Sequence, residues 1–126
     1  MQRALAVLND SGVSITAGYL VYSTGYTRPT QLQTVALASA AGPFTATILG
    51  FMLRTTANDV VGQVIFAGDV DADTSAFAAV GSKVYLSDIV GRFQTTAGTV
   101  STVVGLVKVR DAAGTITILC QPVLSP

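Results

Sequence analysis

Short runs of β-branched and other apolar residues recur along this chain of 126 residues, separated by turn-forming residues. The turn signals fall at residues 10–12, 41–43, 58–59, 88–91 and 111–114, so the spacing between strands is about 8 to 12 residues. Such a rhythm is typical of antiparallel sandwiches and barrels, whereas a parallel sheet alternates its strands with helices. We therefore predict an all-β fold, a small antiparallel barrel or sandwich, in a single domain over residues 1–126.

Individual strands can be placed from the alternation of apolar and polar side chains. Residues 13–17 and 115–120 alternate strictly, which predicts strands with one face on a core and one face outward. Residues 48–53 and 60–66 are apolar on both faces. These two runs are either central strands covered on both sides or surfaces that meet a partner. Further strands are predicted at residues 5–9, 19–23, 32–38, 45–54, 60–67, 83–87, 92–95 and 103–110.

One short helical turn and two extended termini complete the predicted architecture. Asp73 is a suitable N-cap for residues 74–80, and Gly81 can end the turn at a positive φ angle. Residues 1–4 form a predicted N-terminal arm ahead of the first strand. Residues 122–126 form a predicted C-terminal tail, because proline cannot donate a hydrogen bond to a strand ladder.

Charged side chains are scarce in this sequence. They make up 11% of the residues, with seven basic and seven acidic residues and no net charge, whereas soluble domains average about 25%. Sparse charge and zero net charge both favour association between protein molecules. We therefore expect other protein to cover much of the surface, and self-assembly is the default hypothesis.

The composition also disfavours several classes of function. The chain has no histidine, the commonest general acid or base and metal ligand, so we expect neither an enzyme nor a metal or cofactor site. With a net charge of zero, the chain has no excess of basic side chains to bind the phosphates of nucleic acid, so no nucleic-acid partner is expected. The apolar runs are too short for a membrane helix or a signal peptide, so no membrane partner is expected. The single cysteine, Cys120, cannot form an internal disulfide.

Three alternating carboxylates, Asp69, Asp71 and Asp73, match the first half of a calcium-binding loop. The match then fails, because Thr74 stands where that loop has glycine and Val80 where it has glutamate. A solvated, capping acidic turn is the favoured interpretation, and a weak cation site is the alternative.

A second cluster contains Tyr19, Tyr22 and Tyr26, followed by Arg28. Aromatic faces beside a guanidinium can form a stacking surface for a sugar or a peptide. Tyr19 and Tyr22 fall on opposite faces of a strand, however, so core or interface packing is the favoured interpretation.

The order of several segments resembles the head decoration, or cement, proteins of tailed bacteriophages. The resemblance extends over residues 5–121 and rests on residues 14–22, on 48–51 leading into 60–64, on 81–86 and on 103–107. Glycine occupies the matching place in each segment, and such glycines permit bulges, tight bends and close backbone approach. The chain departs from the family in lacking glutamate and in adding residues 121–126. The four matching glycines are Gly18, Gly50, Gly81 and Gly105.

The resemblance implies a structural virion protein without enzymatic activity. Such a protein is made in the host cytoplasm, sits as a homotrimer on the outside of the head, binds the major capsid protein and stabilises the shell. Chain termini are free to reach a neighbour, so we expect contacts through Met1, Gln2 and Arg3 and through Val123 and Leu124. The leading alternative is a tail, fibre or baseplate β-domain that contacts a host glycan through residues 19–28. A small esterase and a bacterial adhesion module are weaker alternatives.

Overall fold

A computed structural model describes residues 3–27, 32–42, 46 and 48–118. Within these residues the protein is all-β, as predicted, and no helix is long and apolar enough to cross a membrane. The strands are β1 (Arg3–Asn9), β2 (Leu20–Thr27), β3 (Leu32–Leu37), β4 (Ile48–Met52), β5 (Val61–Ala72), β6 (Lys83–Leu86), β7 (Phe93–Gln94), β8 (Val103–Val109) and β9 (Gly114–Ile118).

Five strands close into a barrel in the order β1-β3-β2-β4-β5, and the pairing of β1 with β5 completes the ring. Closure removes the open edges that would otherwise invite pairing with other chains. All of these pairs are antiparallel except β1 with β3, so the predicted small antiparallel barrel includes one parallel pair. A parallel pair needs a crossover connection, and here the chain makes β2 between its two partners.

The long strand β5 joins this barrel to a second sheet. Up to Ala67 it pairs with β1, and from Gly68 onward it pairs with β9 in the order β5-β9-β8-β6-β7. Gly68 lies at the change of partner with a φ angle of 97°, a conformation that favours glycine. One strand therefore belongs to both sheets.

Two separate cores lie on the two sides of the barrel wall, and neighbouring residues on one strand enter different cores. Met52 and Val64 lie inside the barrel, whereas Phe51 and Ile65 pack between the barrel and the second sheet. The two apolar runs are therefore central strands covered on both faces at these positions. The barrel core consists of Val7, Ile15, Val21, Val35, Met52 and Val64. The outer core includes Leu20, Phe51, Ile65, Val70, Phe77, Val84, Leu86, Val104, Val107 and Ile116.

Residues 13–17 do not form the predicted strand. Ile15 makes only an isolated antiparallel bridge with Thr56, through backbone hydrogen bonds of 2.9 and 2.8 Å. The Ile15 side chain is fully buried in the barrel core, whereas Val13 and Ala17, which the alternation also placed inward, are exposed.

The predicted helical turn at residues 74–80 is also absent. The Asp73 carboxylate accepts hydrogen bonds from the Ser75 backbone N–H (3.0 Å) and hydroxyl (2.7 Å), but the chain does not continue as a helix. The reason is Thr74, which is fully buried and donates from its hydroxyl to the Val109 carbonyl at 2.6 Å. That hydroxyl also accepts from the Asp111 N–H at 3.0 Å, so the segment is tied to the β8–β9 turn. Gly81 has the predicted positive φ angle, 91°.

The strand glycines Gly50 and Gly105 allow close approach of neighbouring strands. A Cβ atom at Gly50 would collide with the Ile65 carbonyl oxygen, and one at Gly105 would collide with the Thr117 carbonyl oxygen. Gly18, by contrast, lies in a turn with a φ angle of 85°. The four glycines of the sequence pattern thus occupy two strand contacts and two turns.

Candidate interaction surfaces

Several of the few charged side chains are held by hydrogen bonds within the chain. Asp69 accepts from the Lys108 ammonium at 2.6 Å and from the Thr117 hydroxyl at 2.8 Å, and these bonds lower its pKa. Asp88 accepts from the hydroxyl and backbone N–H of Thr99, and its pKa is also lowered. The exposed faces therefore present even less free charge than the composition suggests.

The acidic run at residues 69–73 follows a strand rather than a calcium loop. Asp69 and Asp71 lie in β5, and Val70 between them faces the outer core. Asp73 caps its own turn through Ser75, and the Ser75 hydrogen bonds lower its pKa. Among the residues that the structure describes, no three carboxylate, thiol or imidazole groups gather in a cluster that could hold a metal ion. The converging ligands that the cation alternative requires are not found there.

The three tyrosines do not form one platform. Tyr19 packs against the barrel core and lies under the Arg92 guanidinium, 5.7 Å from the ring centre. Tyr22 packs against the outer core, and Tyr26 is 61% exposed. Arg28 lies outside the described residues. The packing of Tyr19 and Tyr22 agrees with the interpretation that these rings serve mainly the cores.

An exposed apolar patch lies at one end of the barrel. We call it the barrel-end patch, and it consists of Val13, Val60 and Val61, whose exposed fractions are 52%, 46% and 54%. Val13 belongs to the turn after β1, Val60 directly precedes β5, and Val61 is the first residue of β5. These three exposed valines lie in two segments that meet at the barrel end, which marks the patch as a candidate contact surface.

Asn9 fixes the shape of this barrel end. Its side chain is fully buried, and its amide donates to the carbonyl oxygens of Val13 and Thr56, both at 2.8 Å. Its side-chain oxygen accepts from the Ser11 backbone N–H and hydroxyl. The Asn9 backbone N–H also donates to the Val60 carbonyl oxygen at 3.1 Å. One buried amide therefore connects the two segments that carry the patch.

A second group of exposed apolar side chains lies on the turns beside β6. Val80 precedes this strand, and Ile89 and Val90 follow it. The second of these turns is anchored on the barrel, because the Gly91 N–H donates to the Ala38 carbonyl and the Gly91 carbonyl accepts from the Leu20 N–H. We call these three residues the turn patch.

A cleft of about 420 Å³ separates the end of β5 from β7. Asp71 and Ala72 line one side, Phe93 and Gln94 line the other, and Tyr19 closes one end. The Phe77 ring stacks on Phe93 at a centroid distance of 6.2 Å and forms part of the lining. The cleft is thus apolar at its base and polar along its rims.

The predicted terminal contacts fall mainly outside the described residues. Met1, Gln2, Val123 and Leu124 lie outside them, as does Cys120. Arg3 and Ala4 belong to β1, so the arm is shorter than the predicted residues 1–4. The reason is that β5 is long enough to pair with both, through Ala67 and Ile65.

The sequence left open that residues 60–66 meet a partner, but it identified neither the place of Val13 in the barrel-end patch nor the cleft. The consecutive valines at 60 and 61 were a usable signal for the patch, because both faces of one strand end cannot be buried in a single core. The cleft had no sequence signal, since it forms between β5 and β7, which are distant in the sequence and do not pair with each other.

Comparison with solved structures identifies a similarity of fold. The chain is similar in structure to a chain of the capsid of Myoviridae phage XM1, with a TM-score of 0.65 and 16% sequence identity. The match covers 98% of this chain and 86% of the XM1 chain. At this identity the likeness shows a shared fold. No protein-family model and no curated protein matches the sequence.

Proposed function

We propose that this chain is a structural protein of a bacteriophage capsid. The observation that carries the proposal is the likeness of fold to a chain of the XM1 capsid over 98% of this chain. The sequence resemblance to phage head proteins and the scarcity of charge point the same way. The proposed role is non-enzymatic and needs no cofactor.

Within that class, we assign the chain to the decoration proteins, as a homotrimer on the outer surface of the head. A protein that binds only the assembled shell stabilises it by mass action, by about 2.7 kcal/mol at a hundredfold excess over Kd. A trimer contacts several shell subunits at once, so weak contacts at each site are sufficient. A low surface charge suits such a role, because much of the surface of the protein would contact neighbouring protein molecules instead of water.

The proposed contacts with the shell use the N-terminal residues and the barrel-end patch. Arg3 is the first residue of β1 and follows Met1 and Gln2 in the sequence, whereas Val60 lies beside the last residue of β1, Asn9. The seven residues of β1 separate these two sites by about 20 Å. One subunit can therefore contact two different neighbours, and Val123 and Leu124 are proposed for contacts between subunits.

Binding to purified heads that lack this protein tests the proposal. We expect binding to expanded heads and little binding to unexpanded ones, because a protein indifferent to the two states cannot stabilise either. Equal affinity for both would refute the stabilising mechanism. Strong binding to a glycan array, without binding to heads, would favour the tail or fibre alternative.

Two matched variants locate the contact surface. Val61→Asp places a charge in the barrel-end patch and is expected to weaken head binding. Val80→Asp places the same charge in the turn patch, at a residue that is 64% exposed, and is expected to bind heads normally. Circular dichroism checks that both variants fold. Unchanged binding by Val61→Asp would exclude the barrel-end patch as the contact.

A further inference from the structure

The second sheet has two strand edges that open on the same cleft. β7 pairs only with β6, and residues 70–72 of β5 pair along one side with β9. No strand among the described residues pairs along the other side of either segment. A row of backbone N–H and C=O groups at such an edge is a template for an added strand.

The cleft lies between these edges and on the side of β5 away from β9. Asp71 and Ala72 of β5 and Phe93 and Gln94 of β7 line it, and no residue of β9 does. Its volume, about 420 Å³, is in the range of sites that hold a short peptide segment or small ligand. An extended segment placed there would run between two edges that both have backbone groups to offer.

The chemistry of the lining disfavours an acidic segment. Its charged side chains are Asp71, Asp73 and Arg92, two carboxylates and one guanidinium, and the Asp73 carboxylate already accepts hydrogen bonds from Ser75. The Arg92 guanidinium already lies over the Tyr19 ring. The Phe77 and Phe93 rings supply an apolar base. The occupant should therefore have apolar side chains, no acidic side chain and free backbone groups.

We propose that the cleft binds residues 121–126 of a second copy of this chain as an added strand. This segment reads Gln-Pro-Val-Leu-Ser-Pro and has no charged side chain. Val123, Leu124 and Ser125 provide three consecutive residues between prolines, and prolines are tolerated at the ends of a strand. At roughly 3.3 Å per residue, residues 119–126 can reach about 26 Å beyond the end of β9.

The position of β9 favours a second copy over the same chain. Its last residue, Ile118, lies opposite Gly68, at the far end of this part of β5 from Ala72. To enter its own cleft, the segment would have to cross the β5 backbone and turn back. Donation of a segment to the next copy is a head-to-tail contact, and such contacts close into rings when the rotation between copies allows it. The inference rests on the self-association in the proposed function and adds its structural basis.

Photo-cross-linking on a mixture of two isotopic forms tests the inference. Val123 is replaced by p-benzoylphenylalanine in the full chain, and equal amounts of ¹⁴N and ¹⁵N protein are mixed and irradiated. We expect mass spectrometry to find residue 123 linked to peptides that contain Phe77 or Phe93, with light and heavy chains joined. Links only within one chain, or no link to these peptides, would overturn the proposal.

A pair of threonine variants controls for general proximity. Thr95→Arg places a bulky charge on the cleft lining and should remove the cross-link, whereas Thr96→Arg, at an exposed neighbour outside the lining, should retain it. Equal cross-linking in both variants would place the segment elsewhere and refute the proposal. Heads are not used in this test, so its failure leaves the capsid role to be decided by head binding.

Discussion

The substitution Gly50→Ala tests the close approach of β4 and β5. A Cβ at this position would lie 2.7 Å from Val64 Cγ1 and 2.9 Å from the Ile65 carbonyl carbon, in addition to the collision with the Ile65 oxygen. Ordinary contacts begin at 3.4 Å, so the two strands must separate by roughly 1 Å. Because Val64 and Ile65 enter different cores, that separation disturbs the packing on both sides of the barrel wall.

The expected loss of stability follows from the cost of overpacking, about 1 to 3 kcal/mol. In a chain of this size the loss corresponds to a melting temperature lower by roughly 4 to 12 °C. Urea unfolding followed by far-UV circular dichroism measures it, with all proteins at equal concentration because self-association raises apparent stability. Gly25→Ala is the matched control, since its Cβ would meet only Thr34 Oγ1 at 3.5 Å and should cost less than about 0.5 kcal/mol. Equal stability of the two variants would refute the two-core packing at β4.

Three further predictions follow from the hydrogen bonds. Asn9→Ala leaves two backbone carbonyls at the barrel end without their donor and should cost about 2 to 3 kcal/mol by urea unfolding, more than Asn58→Ala at an exposed residue. Thr74→Val preserves side-chain volume but removes the hydroxyl between Val109 and Asp111, and should cost about 1 to 2 kcal/mol; wild-type stability would contradict this role. The pKa values of Asp69, Asp73 and Asp88 are lowered in the folded chain. These carboxylates therefore stabilise the fold fully above their ordinary pKa of 3.8, and this stabilisation is lost as the pH falls through the lower folded values. Urea unfolding at a series of pH values should show that the free energy of unfolding falls at acid pH, and falls less in Asp69→Asn than in the wild type. Between about pH 5 and 8 it should change little, because the chain has no histidine.

The local elements were largely predictable because alternation and turn residues act over short distances. Residues 83–87 and 103–110 matched β6 and β8 to within a residue or two, and the Gly81 turn has its predicted conformation. Residues 13–17 and 74–80 failed because their environment is set by distant partners. Thr56 pairs with Ile15, and Asp111 binds Thr74, at sequence separations that no local pattern records.

The candidate surfaces were less predictable than the strands. Two apolar faces on residues 48–53 indicated coverage on both sides, but only the bend of β5 at Gly68 shows what covers the outer face. The barrel-end patch depends on the buried Asn9, which brings Val13 beside Val60. The cleft is lined by β5 and β7, the two end strands of the second sheet, which share no sequence motif. The terminal contacts expected at Met1, Gln2, Val123 and Leu124 remain predictions.

Electron microscopy of the purified phage particle tests the central claim most directly. The account predicts density on the outer surface of the head that fits the five-stranded barrel with its second sheet, repeated around three-fold positions of the shell. Absence of this protein from the particle, or density for it only in the tail, would contradict the proposed capsid role.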